Sequence, residues 1–353
     1  MVVIDKTRLP HVFATIDLTT IEDAAVAIET MVVRGAPLIG VTAAYGMALG
    51  AVADPSDEGL EAAALRLLRT RPTAVNLHWA VGVAREALAP LPPADRVEAA
   101  YRKAAELADE DAAMCSAIGD HGLGVIEKIW EAKGGEGVVN VLTHCNAGWL
   151  AAVDWGTALA PVYRAHRSGL PVHVWVSETR PRNQGAALTA WELAGESVPH
   201  TVVPDNASGH LLRTGRVDLV LTGTDRTTAA GDVCNKIGTY MKAVAARDCG
   251  VPFYVAVPGA SIDWSLGPGD ADRIPIEERA PEEVSEVRGL APGTGQASVQ
   301  ITSTGTPVAN FGFDVTPARL VSGLVTERGV CEASPDGLAS LYPERTFPEG
   351  RRS

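Results

Sequence analysis

Residues 217–240 read VDLVLTGTDRTTAAGDVCNKIGTY. The apolar, β-branched run at 217–221 predicts a strand, and the residues from 235 to 247 predict a helix. Between them stand Asp225, Asp232, Arg226, Lys236, the thiol of Cys234 and the carboxamide of Asn235. Polar groups this dense between two core-forming elements are costly to bury unless something pairs with them. In an open α/β sheet, the turn after a strand's carboxyl end is where ligands bind. Asp225 lies in that turn, where partial burial would raise its pKa and let it hold a proton. Asp232 is read as a cap for the helix that follows.

The same alternation extends outward in both directions. Strands are expected at 138–143, 172–177, 200–203 and 252–257, and helices at 149–168, 185–196 and 208–214. Strands alternating with helices mean crossover units, so the fold class is α/β with a Rossmann-like, doubly wound parallel sheet. Residues 259–305 read as loop-rich, 308–315 as a further strand and 317–326 as a further helix. Ahead of this region lie short strands at 2–5 and 11–18, then helices at 21–32, from 38 onward, and at 57–70, 76–90 and 94–132. Thr20 and Asp23 have capping-box spacing at the first helix, and Gly35 is expected to end it. Gly134-Gly135-Glu136-Gly137 is the clearest linker. The expected division is a smaller, mainly helical domain at 1–133, a sheet domain at 134–345 and a tail at 346–353.

Length supports two domains, because 353 residues exceed what one core usually accommodates. A hydrophobic share of 46% with 21% charged residues suits a soluble protein. The net charge of −13 and the lack of a basic stripe argue against a nucleic-acid partner. An anionic small substrate stays open, since local arginines outweigh distant acids beyond a screening length of about 8 Å. The cysteines (Cys115, Cys145, Cys234, Cys249, Cys331) are odd in number and scattered, which reads as reduced thiols in a cytoplasmic protein. Asp5, Lys6 and Arg8 stand where a signal peptide would be apolar. The greasy run at 38–53 falls short of a span of ~20 residues, so a buried helix and no membrane partner are expected. Gly293 and Gly295 form only a G-x-G, and there is neither a phosphate-binding loop nor an H-E-x-x-H. Neither a nucleotide cofactor nor a metal is expected.

Three further motifs carry chemistry. Thr143-His144-Cys145-Asn146-Ala147-Gly148 places a thiol at a strand's carboxyl end, while His144 should point to the opposite face. Glu178-Thr179-Arg180-Pro181-Arg182-Asn183-Gln184-Gly185 offers arginine for an oxyanion, Glu178 to orient it and Gln184 for a hydroxyl. Arg34-Gly35-Ala36 and Arg71 sit at helix junctions, where free backbone amides make an anion site.

Taken together, VRGAPLIG (33–40), RPTAVNL (71–77), LTHCNAG (142–148), ETRPRNQGAALTAWEL (178–193) and GTDR…GDVCNKIGTY (223–240) resemble the methylthioribose-1-phosphate isomerases. These are aldose–ketose isomerases of methionine salvage, related to regulatory subunits of the translation-initiation exchange factor. The resemblance spans residues 4 to 345 or so. It implies conversion of 5-methylthioribose 1-phosphate to 5-methylthioribulose 1-phosphate by a homodimer without metal or organic cofactor. It places the catalytic residues at Cys145 and Asp225, and substrate binding at Arg34, Gly35, Ala36, Arg71, Gln184, Asn235 and Lys236. Ala187 stands where relatives carry a second arginine, GTDRTTAAGDV departs from their GADRI…NGDV, and the N-terminus is shorter than in many relatives. The same motifs would suit 5-deoxyribose 1-phosphate or ribose 1,5-bisphosphate, because they handle C1 and its phosphate. A non-catalytic regulatory protein is the reading from another class.

Overall fold

The computed structural model describes residues 1–293 and 295–345; the tail expected at 346–353 lies outside the described residues. Strand β1 (Val2–Ile4) pairs antiparallel with β2 (Thr15–Asp17). Helix α1 (Ile21–Glu29) opens on the expected capping box, with Thr20 accepting from the Asp23 amide and Asp23 accepting from the Thr20 amide. It ends at Thr30 rather than at Gly35. Val33 must turn into the core, so the chain leaves the helix early and Met31 takes the left-handed conformation (φ 63°). Gly35 caps the start of α2 (Ala36–Ala53) instead.

Helix α2 has a mean hydropathy of 1.6, enough by composition to cross a membrane, yet 72% of it is buried within this fold. Around it pack α1, α3 (Asp57–Leu68), α4 (Val75–Leu88) and α5 (Pro93–Ala132). Ile28, Met47, Leu67, Leu77 and Leu88 form their common core. Helix α5 has 40 residues and so is about 60 Å long. Its first turns add Ala99 and Ala100 to this core, whereas Ile118 and Ile126 further along pack on the sheet.

Beyond the glycine-rich loop come β3 (Val139–Thr143), α6 (Ala160–Arg167), β4 (Val172–Ser177), α7 (Ala190–Gly195), β5 (His200–Val203), α8 (Ala207–Arg213) and β6 (Leu219–Thr222). A hairpin of β7 (Arg226–Thr228) and β8 (Val233–Lys236) precedes α9 (Thr239–Asp248), β9 (Phe253–Ala256) and β10 (Ile262–Asp263). The last part adds α10 (Glu282–Ser285), the hairpin β11 (Glu286–Ala291) and β12 (Gly295–Gln300), β13 (Phe313–Thr316), β14 (Gly323–Thr326), β15 (Gly329–Cys331) and α11 (Pro335–Leu341).

The main sheet runs β15-β14-β9-β6-β3-β4-β5, parallel except for β15 at one edge. Counting its parallel strands in chain order gives 3-2-1-4-5-6, the doubly wound arrangement, with the direction of winding reversing between β3 and β6. Side chains alternate faces, as a strand requires. Val139, Val141, Leu219 and Leu221 meet α5 and α6 on one side, and Leu142 and Val220 meet α8 and α9 on the other.

Three expected helices are corrected. Residues 235–236 belong to β8, which pairs with β7 and β13, and α9 starts only at Thr239 after Gly238 (φ 98°). Asp232 therefore caps no helix there; it sits in the hairpin turn and accepts from the Ala318 amide at 2.9 Å. Residues 317–326 hold a single 3-10 turn and then β14, the sixth parallel strand. Leu320, Val321, Leu324 and Val325 fit either period, and the tertiary structure selects the strand because Leu324 and Val325 fill opposite cores. Within 149–168, one turn at Trp149–Ala151 is followed by a loop that folds Gly156 back onto Gly148, and the helix begins at Ala160.

Candidate active site

The two strands flanking the winding reversal deliver the two expected reactive groups. Cys145 follows β3 and Asp225 follows β6, and β3 and β6 are neighbours. Both line a small pocket with Arg34, Gly35, Ala36 and Asn235. The structure thus brings together six of the nine expected site residues at one wall. Gln184 lines a larger adjoining cleft of about 500 Å³, and Arg34 borders both spaces. Arg71 and Lys236 border neither, but their charges act on Asp225.

Cys145 has φ 65°, a conformation that is strained for a residue with a Cβ. Two threonines hold it there. The Cys145 amide donates to Thr179 Oγ1 (2.9 Å), and Thr189 Oγ1 donates to the Cys145 carbonyl (2.7 Å). Arg34 Nη2 approaches Cys145 Sγ at 3.5 Å while Nη1 donates to the Asn146 carbonyl at 3.0 Å and to its side-chain oxygen. Asn146 in turn donates to Glu192 at 2.7 Å, and Glu192 also accepts from Tyr163 and the Leu150 amide. Burial pushes Glu192 up to about 7, against the pull of these bonds. A guanidinium is thereby fixed beside the thiol by a buried amide and a buried acid.

Gly35 could not be another residue. A Cβ there would fall 2.3 Å from the Ala151 oxygen, at a φ of +103°. Helix α2 has no side-chain cap, and its first two residues, Ala36 and Pro37, line the pocket, so the Ala36 amide is left for a ligand while Pro37 has no amide hydrogen. In the same pocket, the Asp225 carboxyl bonds to no donor among the described residues. Burial raises its pKa, and Lys236, Arg34 and Arg71 only partly counter this. Burial in turn lowers Lys236, which donates to the Gly312 carbonyl at 2.8 Å and lies 4.6 Å from the Phe313 ring centre. Arg71 pairs with Glu277 at 3.0 Å, and its Nε is buried without a partner. Gln184 Oε1 is likewise buried and unpaired. Orphaned polar atoms of this kind call for a ligand or water.

Other expectations resolve differently. His144 is buried and neutral, lowered to about 3 by burial and by Lys242, with its ring nitrogens facing the Ile237 carbonyl and Thr179 rather than the thiol. The arginines of the ETRPRNQG motif do not wait for an anion. Arg180 donates to the Val284 carbonyl (2.8 Å) and Arg182 pairs with Glu283 (2.7 Å), and both tie this loop to the segment before β11. Glu178 pairs with neither among the described residues. Burial and Asp225 push Cys234 up to about 12, which makes it a poor nucleophile. No group of three metal-ligating side chains lies together among the described residues.

Sequence reasoning missed Glu192, Thr189, Glu277 and Lys6. Glu192 lies inside a quoted motif, but at a helical position its total burial left no signal in the chain. Glu277 and Lys6 come from segments that reach the site only through tertiary packing.

The model of the initiation factor 2 subunit family matches residues 32–333. The chain belongs to this family. Among family relatives, methylthioribose-1-phosphate isomerase of Rhodospirillum rubrum is 62% identical over 347 residues, covering 97% of this chain and 89% of that protein. The crystal structure of 5-methylthioribose 1-phosphate isomerase from Pyrococcus horikoshii OT3 is 37% identical with a TM-score of 0.81, covering 97% of this chain and 93% of that one. The delta subunit of translation initiation factor eIF-2B from A. fulgidus is equally 37% identical, with a TM-score of 0.78 and coverage of 97% and 96%. The family thus spans an enzyme and an initiation factor, and the residues in the pocket bear on which of the two this chain is.

Proposed function

We propose that this protein is an aldose–ketose isomerase that converts 5-methylthioribose 1-phosphate to 5-methylthioribulose 1-phosphate in methionine salvage. The observation that carries the reading is the pocket itself, where a thiol and an acid raised by burial share one lining with the uncapped amino end of α2. It agrees with the isomerase named at 62% identity.

A sugar with phosphate on C1 has no free anomeric hydroxyl, so its ring cannot open by ordinary proton loss. Asp225, holding its proton, supplies it to the ring oxygen as the C1–O bond breaks. The α2 amides, Arg34, Arg71, Gln184, Asn235 and Lys236 hold the phosphate and hydroxyls in place as this happens. Hydrogen then moves from C2 to C1. In a proton relay, Cys145 as thiolate removes the C2 proton, an enol forms between C1 and C2, and the thiol returns that proton to C1 as the C2 hydroxyl passes its own proton to the Asp225 carboxylate and becomes a carbonyl. In a hydride shift, the hydrogen crosses with its electron pair to electron-poor C1, the C2 hydroxyl passes its proton to the Asp225 carboxylate, and Cys145 shapes the pocket.

We further place the chain in the cytoplasm as a homodimer without metal or organic cofactor, divided at 133/134 with α5 as the shared wall. Tyr240, Met241 and Val244 expose an apolar face on α9 that suits a second copy. The substituent at C5 is tested by following 5-methylthioribose 1-phosphate, 5-deoxyribose 1-phosphate and ribose 1,5-bisphosphate by phosphorus NMR. Fastest turnover of the thioether sugar is expected. Preference for either rival would reassign the substrate, and inertness toward all three would favour the regulatory reading.

A further inference from the structure

Lys6 lies in the segment that joins β1 to β2 and runs along the larger cleft. Only 6% of it is exposed, yet no carboxylate, carbonyl or hydroxyl among the described residues bonds to its ammonium. Its backbone is fixed by a bond from its amide to the Val32 carbonyl (3.3 Å), two residues before Arg34. Arg34 borders the same cleft, and so does Gln184, 7% exposed with its Oε1 unpaired. Two cations therefore stand close together, with an unsatisfied acceptor nearby, on the side of the cleft where Arg34 also borders the reaction pocket. The ammonium borders the cleft with no hydrogen-bonded partner of its own among the described residues, so an anion that enters the cleft can supply the missing bonds. Burial and Arg34 together lower Lys6 to about 7, and Glu192 and Asp5 only partly counter this.

We infer that Lys6 is a further substrate-binding residue, whose ammonium donates to the phosphate of the sugar phosphate beside Arg34. This rests on the sugar-phosphate reading above for the identity of the ligand, but not for the existence of the anion site. The ammonium acts as a point charge and Arg34 as a planar fork, so the two complement rather than duplicate each other.

The test uses sulfate, whose charge does not change between pH 6 and 9, as a probe of the anion site by calorimetry, alongside steady-state kinetics with the sugar phosphate. Lys6→Met is expected to weaken sulfate and raise KM by ~10-fold or more, with kcat within about threefold. Lys6→Arg keeps both near wild type. In the wild type, sulfate affinity falls as pH rises through about 7, because the cation is present below that pH and lost above it. Arg34, Glu192 and Asp5 face Lys6, and His11, Arg182, Glu282, Glu283, Glu286 and Arg288 line the cleft around it. All remain in Lys6→Arg, so the slope that variant removes belongs to Lys6. An unpaired buried cation holds no structure together, so Lys6→Met should melt at or above the wild-type temperature, and a lower melting temperature would mark a structural lysine instead. Unchanged sulfate affinity and KM in Lys6→Met would overturn the inference and leave the isomerase reading standing. Sulfate binding that depends on Lys6 in a protein inert toward sugar phosphates would uphold the anion site and reject that reading.

Discussion

At the residue scale, the site depends on groups held in states that water would not favour. Cys145 keeps a left-handed backbone because Thr179 and Thr189 grip its amide and carbonyl. Cys145→Ser is expected to lower kcat by at least ~100-fold if the thiol moves the proton. Turnover in deuterium oxide decides the route, since label entering at C1 marks the relay and its absence marks the hydride shift. Glu192 gives a second prediction. Its folded pKa of about 7 exceeds the ordinary 4.5, so the folded protein holds the proton more firmly than the unfolded chain. The resulting stability is full below 4.5 and is lost as pH rises through about 7. Denaturant unfolding of Glu192→Gln should lack this part of the decline, a difference of up to about 3 kcal/mol between pH 5 and 8. Equal pH slopes in both proteins would mean that Glu192 ionises in the folded state as it does in water. Cys145, Asp225 and the arginines at helix junctions were legible in the chain because polar residues at strand ends stand out from the apolar runs around them. Glu192 was not, since its meaning lies in Asn146, Tyr163 and Leu150, which meet it only in the fold.

At the scale of elements, the parallel strands could be read because each is a short apolar run between turns, and their winding follows from alternation with helices. Of the second sheet, β10-β7-β8-β13, only β13 overlaps an expected strand, the one at 308–315. Its strands are short, and β8 finds β13 only across a long stretch of intervening chain, so Asn235 and Lys236 looked like the start of a helix. As strand residues they project from a rigid ladder, and Asn235 is braced by a 3.0 Å bond to Thr239. The junction before α2 yields a third prediction. Gly35→Ala puts a methyl group into the backbone of Ala151 at a φ that alanine avoids, so a loss of at least ~2 kcal/mol in stability and a raised KM are expected. Gly82→Ala in α4, where a Cβ meets nothing, should be neutral or stabilise by roughly 0.5–1 kcal/mol. Calorimetric melting of the two variants separates a glycine required by geometry from one that is merely tolerated.

At the scale of the whole molecule, the site is a junction. The helical layer contributes the amino end of α2 and Arg71, and the sheet contributes the strand ends. Arg226 bonding to the Thr73 carbonyl (2.7 Å) and Ser261 bonding to Asn76 (3.1 Å) hold the two together. A net charge of −13 surrounds a pocket bordered by Arg34, with Arg71 and Lys236 close enough to act on Asp225, so affinity for an anionic sugar comes from a few local groups rather than from the protein's overall field. The account stands on Asp225 acting as the acid that opens the ring. The most direct measurement is phosphorus NMR of 5-methylthioribose 1-phosphate with the wild-type protein and with Asp225→Asn. The account predicts a growing ketose-phosphate signal with the wild type, and none with the variant although it still binds the sugar. A near-normal rate in Asp225→Asn, or no conversion by the wild type, would contradict it.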